Sequence, residues 1–190
     1  MKLQGLPRER PALLVCDREF RLPVAQSIIE TLRAIRPDFR ILAPAPTVRD
    51  AMFNQWCIFL HTVAQRGAAA GNYQPLRRAV SWLKEGGLLV VFPAGEFSQW
   101  AGDNMFSIGP RWSDTCARLA ILTGALTIPM APIENAAGAA SVHFGKPIGA
   151  TTLKAMAALR DATEYVRVCA ERIDPMRPRR ERLVPRLAAS

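Results

Sequence analysis

The stretch from Gly87 to Ser98 reads Gly-Leu-Leu-Val-Val-Phe-Pro-Ala-Gly-Glu-Phe-Ser, an apolar run that stops at a proline and continues as a small polar loop. Such a run is typical of a parallel strand buried on both faces, and Pro93 ends it because proline has no N–H for the sheet. Ligands of open α/β sheets bind outside the carboxyl ends of strands, so the loop is a candidate site, although an ordinary strand exit has the same pattern. The candidate substrate-binding residues are Phe92, Pro93, Gly95, Glu96 and Ser98.

Short apolar segments alternate with amphipathic segments along the rest of the chain. In the first amphipathic segment, apolar residues recur at helical spacing while Arg33 and Arg36 fall on the polar side. This alternation predicts one α/β domain at 1–173, with a mainly parallel central sheet and helices on both of its faces, followed by a tail at 174–190. Strands are predicted at 11–16, 39–42, 57–60, 88–92, 125–130 and 141–144, and helices at 22–35, just after 47, and at 75–85, 114–123 and 151–173.

The composition is that of one domain with a substantial core, since 49% of the 190 residues are hydrophobic and 22% are charged. No apolar stretch approaches the roughly 20 residues that a membrane-spanning helix needs, and the first residues lack the apolar core of a signal peptide. The expected location is therefore the cytoplasm. The four cysteines lack zinc-ligand spacing, so we interpret them as small core residues in a reducing compartment rather than as metal ligands or disulfides.

The formal net charge of +9 is large for this length, and much of the excess lies in the tail. Because three prolines interrupt it, the tail cannot form a regular element, and its arginines are either solvated or meet an anionic surface such as the inner membrane face. No nucleic-acid partner is expected, because zinc-finger spacing and basic-aromatic interleaving are missing and only 7% of residues are aromatic. The tail arginines are Arg177, Arg179, Arg180, Arg182 and Arg186.

The segment from Phe92 to Ser98 resembles the third motif of the glycerolipid acyltransferases, most closely that of the hemolysin-like and ornithine-lipid branch. Later segments, at 117–120, 123–130 and 144–148, resemble a helix, the fourth motif and a Gly-Lys-Pro-Ile segment of that family, so the resemblance runs from Pro11 to Ile148. It implies a glycerol-phosphate-acyltransferase-like fold. It also implies transfer of an acyl group from acyl-CoA or an acyl carrier protein to a lysolipid or similar acceptor, with no other cofactor and no metal.

The first motif of that family is degenerate in this chain. Just after the first strand, family members carry a histidine that acts as general base and, four or five residues on, an aspartate that orients it. Here Asp17 falls at the place of the histidine and Pro23 near that of the aspartate. A carboxylate, with an ordinary pKa of about 4, is a poor base near neutral pH, and Arg18 and Arg21 favour its charged form.

Two residues are the candidates for catalysis. Asp17 takes the place of the base, and His61 ends the third predicted strand, from which it could reach the same edge of the sheet, although a lone histidine there more often packs or bonds to the backbone. Two functions stay open: an acyltransferase with weak or lost activity, and a non-catalytic relative that binds lipid or serves as a scaffolding subunit. The missing histidine favours the second, whereas the retained Phe92–Ser98 loop indicates a retained ligand or a retained fold.

Overall fold

The computed structural model describes residues 6–7, 10–18, 20, 22–44, 51–61, 71–93, 112–134 and 140–173, so the predicted tail at 174–190 lies outside it. The strands are β1 (Ala12–Cys16), β2 (Phe39–Pro44), β3 (Cys57–Leu60), β4 (Leu88–Val91), β5 (Leu126–Glu134) and β6 (Ala140–Phe144). They form one sheet in the order β3-β2-β4-β1-β5-β6. All neighbouring pairs from β3 across to β5 are parallel, and β6 runs antiparallel to β5.

Helices cover both faces of this sheet. They are α1 (Leu22–Ile35), α2 (Ala51–Asn54), α3 (Tyr73–Lys84), α4 (Thr115–Thr123), α5 (Ala150–Lys154) and α6 (Leu159–Glu171). The apolar side chains of α1 and α2 pack on one face, and those of α3 to α6 pack on the other. The predicted single α/β domain with a mainly parallel sheet between two helical layers is confirmed.

The apolar run that begins at Leu88 forms β4, a central strand of the sheet. Each residue of β4 is at most 4% exposed. Leu89 and Val91 pack among the residues of α3 to α6, whereas Leu88 and Val90 pack against the side of α1. A strand buried on both faces needs apolar residues at consecutive positions, and this is why the run shows no alternation of apolar and polar residues.

Two prolines, Pro129 and Pro132, lie inside β5, although proline has no N–H for a sheet. Thr127 exchanges two hydrogen bonds with Ile148 on the side of β5 that faces away from β1, and on that same side the carbonyl of Pro129 accepts one from Gly145. The missing N–H of Pro129 therefore points to the gap between the Thr127–Ile148 bridge and the start of the β6 ladder. The parallel ladder with β1 does not use that N–H, so it stays intact.

The prediction of one continuous helix at 151–173 is wrong. The structure has two helices, α5 and α6, separated by residues 155–158, and Ala158 is extended, with φ −139° and ψ 155°. Alanine and methionine in this stretch favour a helix, so local propensity does not explain the break. Packing does, because the bend lets Leu153 of α5 and Val166 of α6 enter the same hydrophobic cluster.

Arg36 is buried at the amino end of the sheet, where the helical periodicity predicted a solvent-facing position. Its side chain is 3% exposed and makes a bidentate pair with Asp38, with both N–O distances 2.9 Å. The same guanidinium donates to the carbonyl of Pro7 at 2.6 Å, to that of Arg10 at 2.7 Å and to that of Gly86. One side chain thus joins the start of the chain, the end of α1 and the turn before β4.

The substitution Gly87→Ala is expected to lower the free energy of unfolding by about 2 kcal/mol, the usual range for overpacking. A Cβ at this position would lie 2.4 Å from Nε1 of the Trp82 indole. The indole cannot easily move, because Nε1 donates to the carbonyl of Leu88 at 3.0 Å and Arg40 stacks on the ring. Urea unfolding of a double-mutant cycle checks this: in a Trp82→Ala background the same substitution should cost much less. Equal losses in the two backgrounds would contradict the clash.

Candidate functional site

The candidate site lies where β1 and β4 end. These strands are parallel neighbours in register, with Val15 paired to Val91, so the residues that follow them emerge side by side at the carboxyl edge of the sheet. After β1 the chain forms α1 on one face, and the next described helix after β4, α4, packs on the other face. In open α/β sheets, ligands bind at the carboxyl edge where the chain leaves two neighbouring strands toward opposite faces of the sheet.

Asp17 immediately follows β1 and is held in the body of the protein. Its N–H donates to the carbonyl of Met130 at 3.3 Å, and its side chain is fully buried. The Arg18 Nε lies 3.8 Å from Asp17 Oδ1, and the Arg18 side chain is 44% exposed. The pair therefore has a buried negative group facing a partly solvated positive one. The Asp17–Arg18 pair thus places two opposite charges at the edge of the sheet. For abstracting a proton near neutral pH, an imidazole, with an ordinary pKa of about 6.5, is better suited than a carboxylate.

The neighbouring thiol is not suited to nucleophilic chemistry. Burial raises the pKa of Cys16 to about 12, and the Asp17 charge adds to the rise, while the backbone N–H and the charge of Arg18 oppose it. The thiolate is the reactive form of cysteine, so a thiol that stays protonated near neutral pH is a weak nucleophile.

The exit of β4 is tied to the start of α4. Phe92 and Pro93 are buried, and the Pro93 carbonyl accepts a hydrogen bond from the Ser113 N–H at 3.3 Å. Ser113 Oγ accepts from the Thr115 N–H at 3.2 Å and lies 2.7 Å from Thr115 Oγ1. These residues, together with Leu42, line a cavity of about 10 Å³, which holds at most one water molecule.

An aromatic cluster joins the two strand exits. The Phe20 ring, three residues after Asp17, meets the Phe92 ring edge to face at a centroid distance of 5.2 Å. Phe20 also contacts Phe53 of α2 at 6.0 Å in the same manner. Such pairs contribute about 0.5–1.5 kcal/mol beyond their burial, so the segment after β1 is anchored to the segment after β4.

His61 lies at the same edge but away from Asp17. Its strand, β3, is the outermost and stands three positions from β1, a separation of about 14 Å at ~4.8 Å per strand. The His61 backbone is held by Asn72, whose side chain accepts from the N–H at 2.6 Å and donates to the carbonyl at 2.8 Å. Its ring packs against Gly71, where a Cβ would come 2.8 Å from Cδ2. The structure therefore does not bring the two candidate catalytic residues together.

Part of the candidate site lies outside the described residues. Gly95, Glu96 and Ser98 fall within 94–111, of which the structure describes none. Within the described ranges, no three residues of histidine, cysteine, aspartate or glutamate cluster as a metal site would require. No helix in the described part of the chain has the length and apolar character needed to cross a membrane.

Sequence reasoning missed the aromatic and hydroxyl residues at this edge. The Phe20 ring meets the rings of Phe53 and Phe92 only after the sheet forms, and a single phenylalanine in the sequence carries no signal of such a contact. Ser113 and Thr115 could have been noticed as hydroxyl residues at a predicted helix start, but their link to Pro93 depends on the tertiary fold.

A comparison with solved structures shows what this architecture is similar to. The crystal structure of the 1-acyl-sn-glycerophosphate (LPA) acyltransferase PlsC from Thermotoga maritima superposes with a TM-score of 0.58 at 15% sequence identity, covering 96% of this chain and 73% of that one. Comparisons with protein-family models and with curated protein sequences gave no match. At this identity the likeness concerns the fold: the chain has a glycerolipid acyltransferase-like α/β fold.

Proposed function

We propose that this chain takes an acyl thioester and a lysolipid-like acceptor at the carboxyl edge between β1 and β4, and that it transfers the acyl group slowly. The observation that carries the proposal is the ring contact between Phe20 and Phe92, which places the segment of Asp17 beside the strand that leads into the Phe92–Ser98 loop. The acyltransferase-like fold and the resemblance of that loop to the hemolysin-like and ornithine-lipid branch support it.

In this reaction the acceptor oxygen attacks the thioester carbonyl carbon, the C–S bond breaks, and the proton of the acceptor leaves with the thiol. The donor is acyl-CoA or an acyl carrier protein. The chain contributes orientation of the two reactants, a form of catalysis that works without a base. A general base adds typically 10²- to 10⁴-fold, and the buried Asp17 beside Arg18 does not supply that factor.

A second candidate is a non-catalytic relative that keeps the fold and binds lipid or acts as a scaffolding subunit. The complete burial of the Asp17 side chain and the position of His61 three strands away favour it. Ligand binding separates the two candidates, because a non-catalytic relative binds the acyl thioester or the lysolipid without releasing a thiol. For either candidate we propose a cytoplasmic location, with the tail arginines as an additional contact to an anionic inner membrane surface.

The proposal predicts slow release of thiol from acyl thioesters that depends on a lysolipid acceptor. His61→Ala is expected to leave the rate unchanged, and Asp17→Asn to change it less than about tenfold, since neither residue supplies the factor of a general base. The measurement is thiol release with several lysolipid acceptors, and circular dichroism confirms folding. The Asn variant is the matched control for Asp17→Ala, because it keeps the volume of the buried side chain.

Three outcomes would contradict this proposal. Fast turnover by the wild type that His61→Ala abolishes would make His61 the base. Loss of activity in both Asp17 variants, with folding intact, would indicate a carboxylate base. Binding without any thiol release would support the non-catalytic candidate.

A further inference from the structure

The solvent face of α3 has a concentrated positive charge. The helix contains three basic residues, Arg77, Arg78 and Lys84, all exposed, and no acidic residue. No carboxylate among the described residues forms an ion pair with Arg77 or Arg78. Glu85, just beyond the helix, is the nearest acidic residue in sequence. Within the part of the chain that the structure describes, no ion pair therefore neutralises the two arginines of this helix.

The other long helix on this side of the sheet, α6, has an arginine that is paired with carboxylates. In α6 the Arg167 guanidinium donates to the carboxylates of both Glu164 and Glu171, which neutralises it within the helix. These contacts also lower the pKa of Glu164, mainly through the hydrogen bond from Arg167. With two arginines and three acidic residues α6 has a formal charge of −1, whereas α3, with three basic residues and no acidic one, has a charge of +3.

A further cation is fixed beside the same helix. The Arg40 guanidinium carbon lies 4.4 Å from the ring centroid of Trp82, and Arg40 Nη1 donates to the carbonyl of Phe39 at 2.8 Å. An arginine held by stacking loses less freedom when it binds an anion than an arginine that moves freely. The positive charge at this end of the helix is therefore preorganised.

An open groove of about 270 Å³ runs along the exposed side of α3. From its first to its last lining residue it spans about 16 Å at 1.5 Å rise per residue. A small-molecule pocket encloses most of the surface of its ligand. An open groove along one helix does not, so it suits an extended partner better than a small molecule. The groove is lined by Gln74, Arg77, Arg78, Ser81, Trp82 and Glu85, which with Arg40 we name the α3 basic face.

We propose that the α3 basic face binds the phosphate headgroups of an anionic lipid surface. Charge complementarity favours this occupant, because arginines near an anionic membrane each contribute about fivefold to binding. Tyr73, the first residue of α3, is 64% exposed. Tyrosine is enriched at membrane interfaces, where its ring contacts apolar lipid and its hydroxyl contacts water. The proposal stands apart from acyl transfer, since binding to lipid needs no acyl donor.

Vesicle co-sedimentation of the full chain tests this proposal, with phosphatidylcholine vesicles compared with vesicles that also contain phosphatidylglycerol. The double substitution Arg77→Gln with Arg78→Gln is expected to weaken binding to the anionic vesicles about 30-fold, with little change on phosphatidylcholine. The matched control is Arg160→Gln with Arg172→Gln, which removes the same charge from exposed positions on and just after α6. It should weaken binding less than about threefold, and added salt should weaken wild-type binding.

Several outcomes would overturn the proposal. Equal losses in the two double variants would show that net charge alone drives binding. Full binding by the α3 variant, with loss on neutralising Arg177, Arg179, Arg180 and Arg182 to glutamine, would assign the contact to the tail. Binding that is insensitive to salt or to phosphatidylglycerol would exclude headgroup charge. Binding of a mixed RNA without binding of vesicles would identify a different partner.

Discussion

Replacing Arg36 with alanine is expected to lower the free energy of unfolding by about 3–5 kcal/mol, a large part of the 5–15 kcal/mol typical of a domain. The loss comes mainly from the carbonyls of Pro7, Arg10 and Gly86, which would be left without their guanidinium donor. An unsatisfied buried acceptor costs about 1–3 kcal/mol, and each of these carbonyls falls at the low end because Pro7 and Gly86 are half-buried and Arg10 is exposed. The broken pair with Asp38 adds less, because that carboxylate is 46% exposed and water can solvate it.

Urea unfolding measures this effect, with Arg33→Ala as the matched control. Arg33 lies in the same helix but is exposed, so its loss should change stability by no more than about 0.5 kcal/mol. Arg36→Lys should fall between the wild type and the alanine variant, because lysine keeps the charge but lacks the planar fork that reaches several acceptors. If Arg36→Ala lies within about 1 kcal/mol of the wild type, the contacts do not stabilise the fold as described.

Combining Asp17→His with Pro23→Asp is expected to raise the rate of acyl transfer by about 10²- to 10⁴-fold, the usual contribution of a general base. Residue 17 is buried at the end of a central strand, where burial favours the neutral imidazole that accepts a proton. Residue 23 lies in the first turn of α1, which has no acidic residue. A carboxylate there is favoured by the helix dipole.

The measurement is kcat/KM for thiol release with a lysolipid acceptor, and each single substitution serves as a control. Asp17→His alone should give the larger part of the gain, because the second substitution only orients the ring. Thermal unfolding of each variant verifies that the buried position tolerates the imidazole. A double variant that folds and binds the acyl thioester but gains no activity would show that the edge between β1 and β4 is not a transfer site.

The sequence predicts the centre of this fold better than its periphery. β4 and β1 are recognisable because a strand buried on both faces needs consecutive apolar residues, and α1 because one side of it is apolar throughout. The burial of Arg36 is not predictable in this way. Its position in the helical pattern is polar, and the carbonyls that accept from it belong to segments remote in sequence.

Some features of the candidate site are likewise predictable from the sequence, and others are not. The position of Asp17 after β1 and of Phe92 after β4 follows from the strand pattern alone, and so does their common edge. The ring contact between Phe20 and Phe92 does not, because it needs the register of two strands far apart in the chain. The distance of His61 also depends on strand order, which a single sequence does not specify.

The central place of β1 has a consequence for the synthesis of the chain. Its two neighbours are β4 and β5, so both edges of β1 can be paired only after residues 88–91 and 126–130 have been synthesised. At translation rates of about 5–20 residues per second this interval is on the order of 10 s. Through that time the apolar strand Ala12–Cys16 is open to chaperones and to unwanted association, although it leaves the ribosome before the other five strands of this sheet.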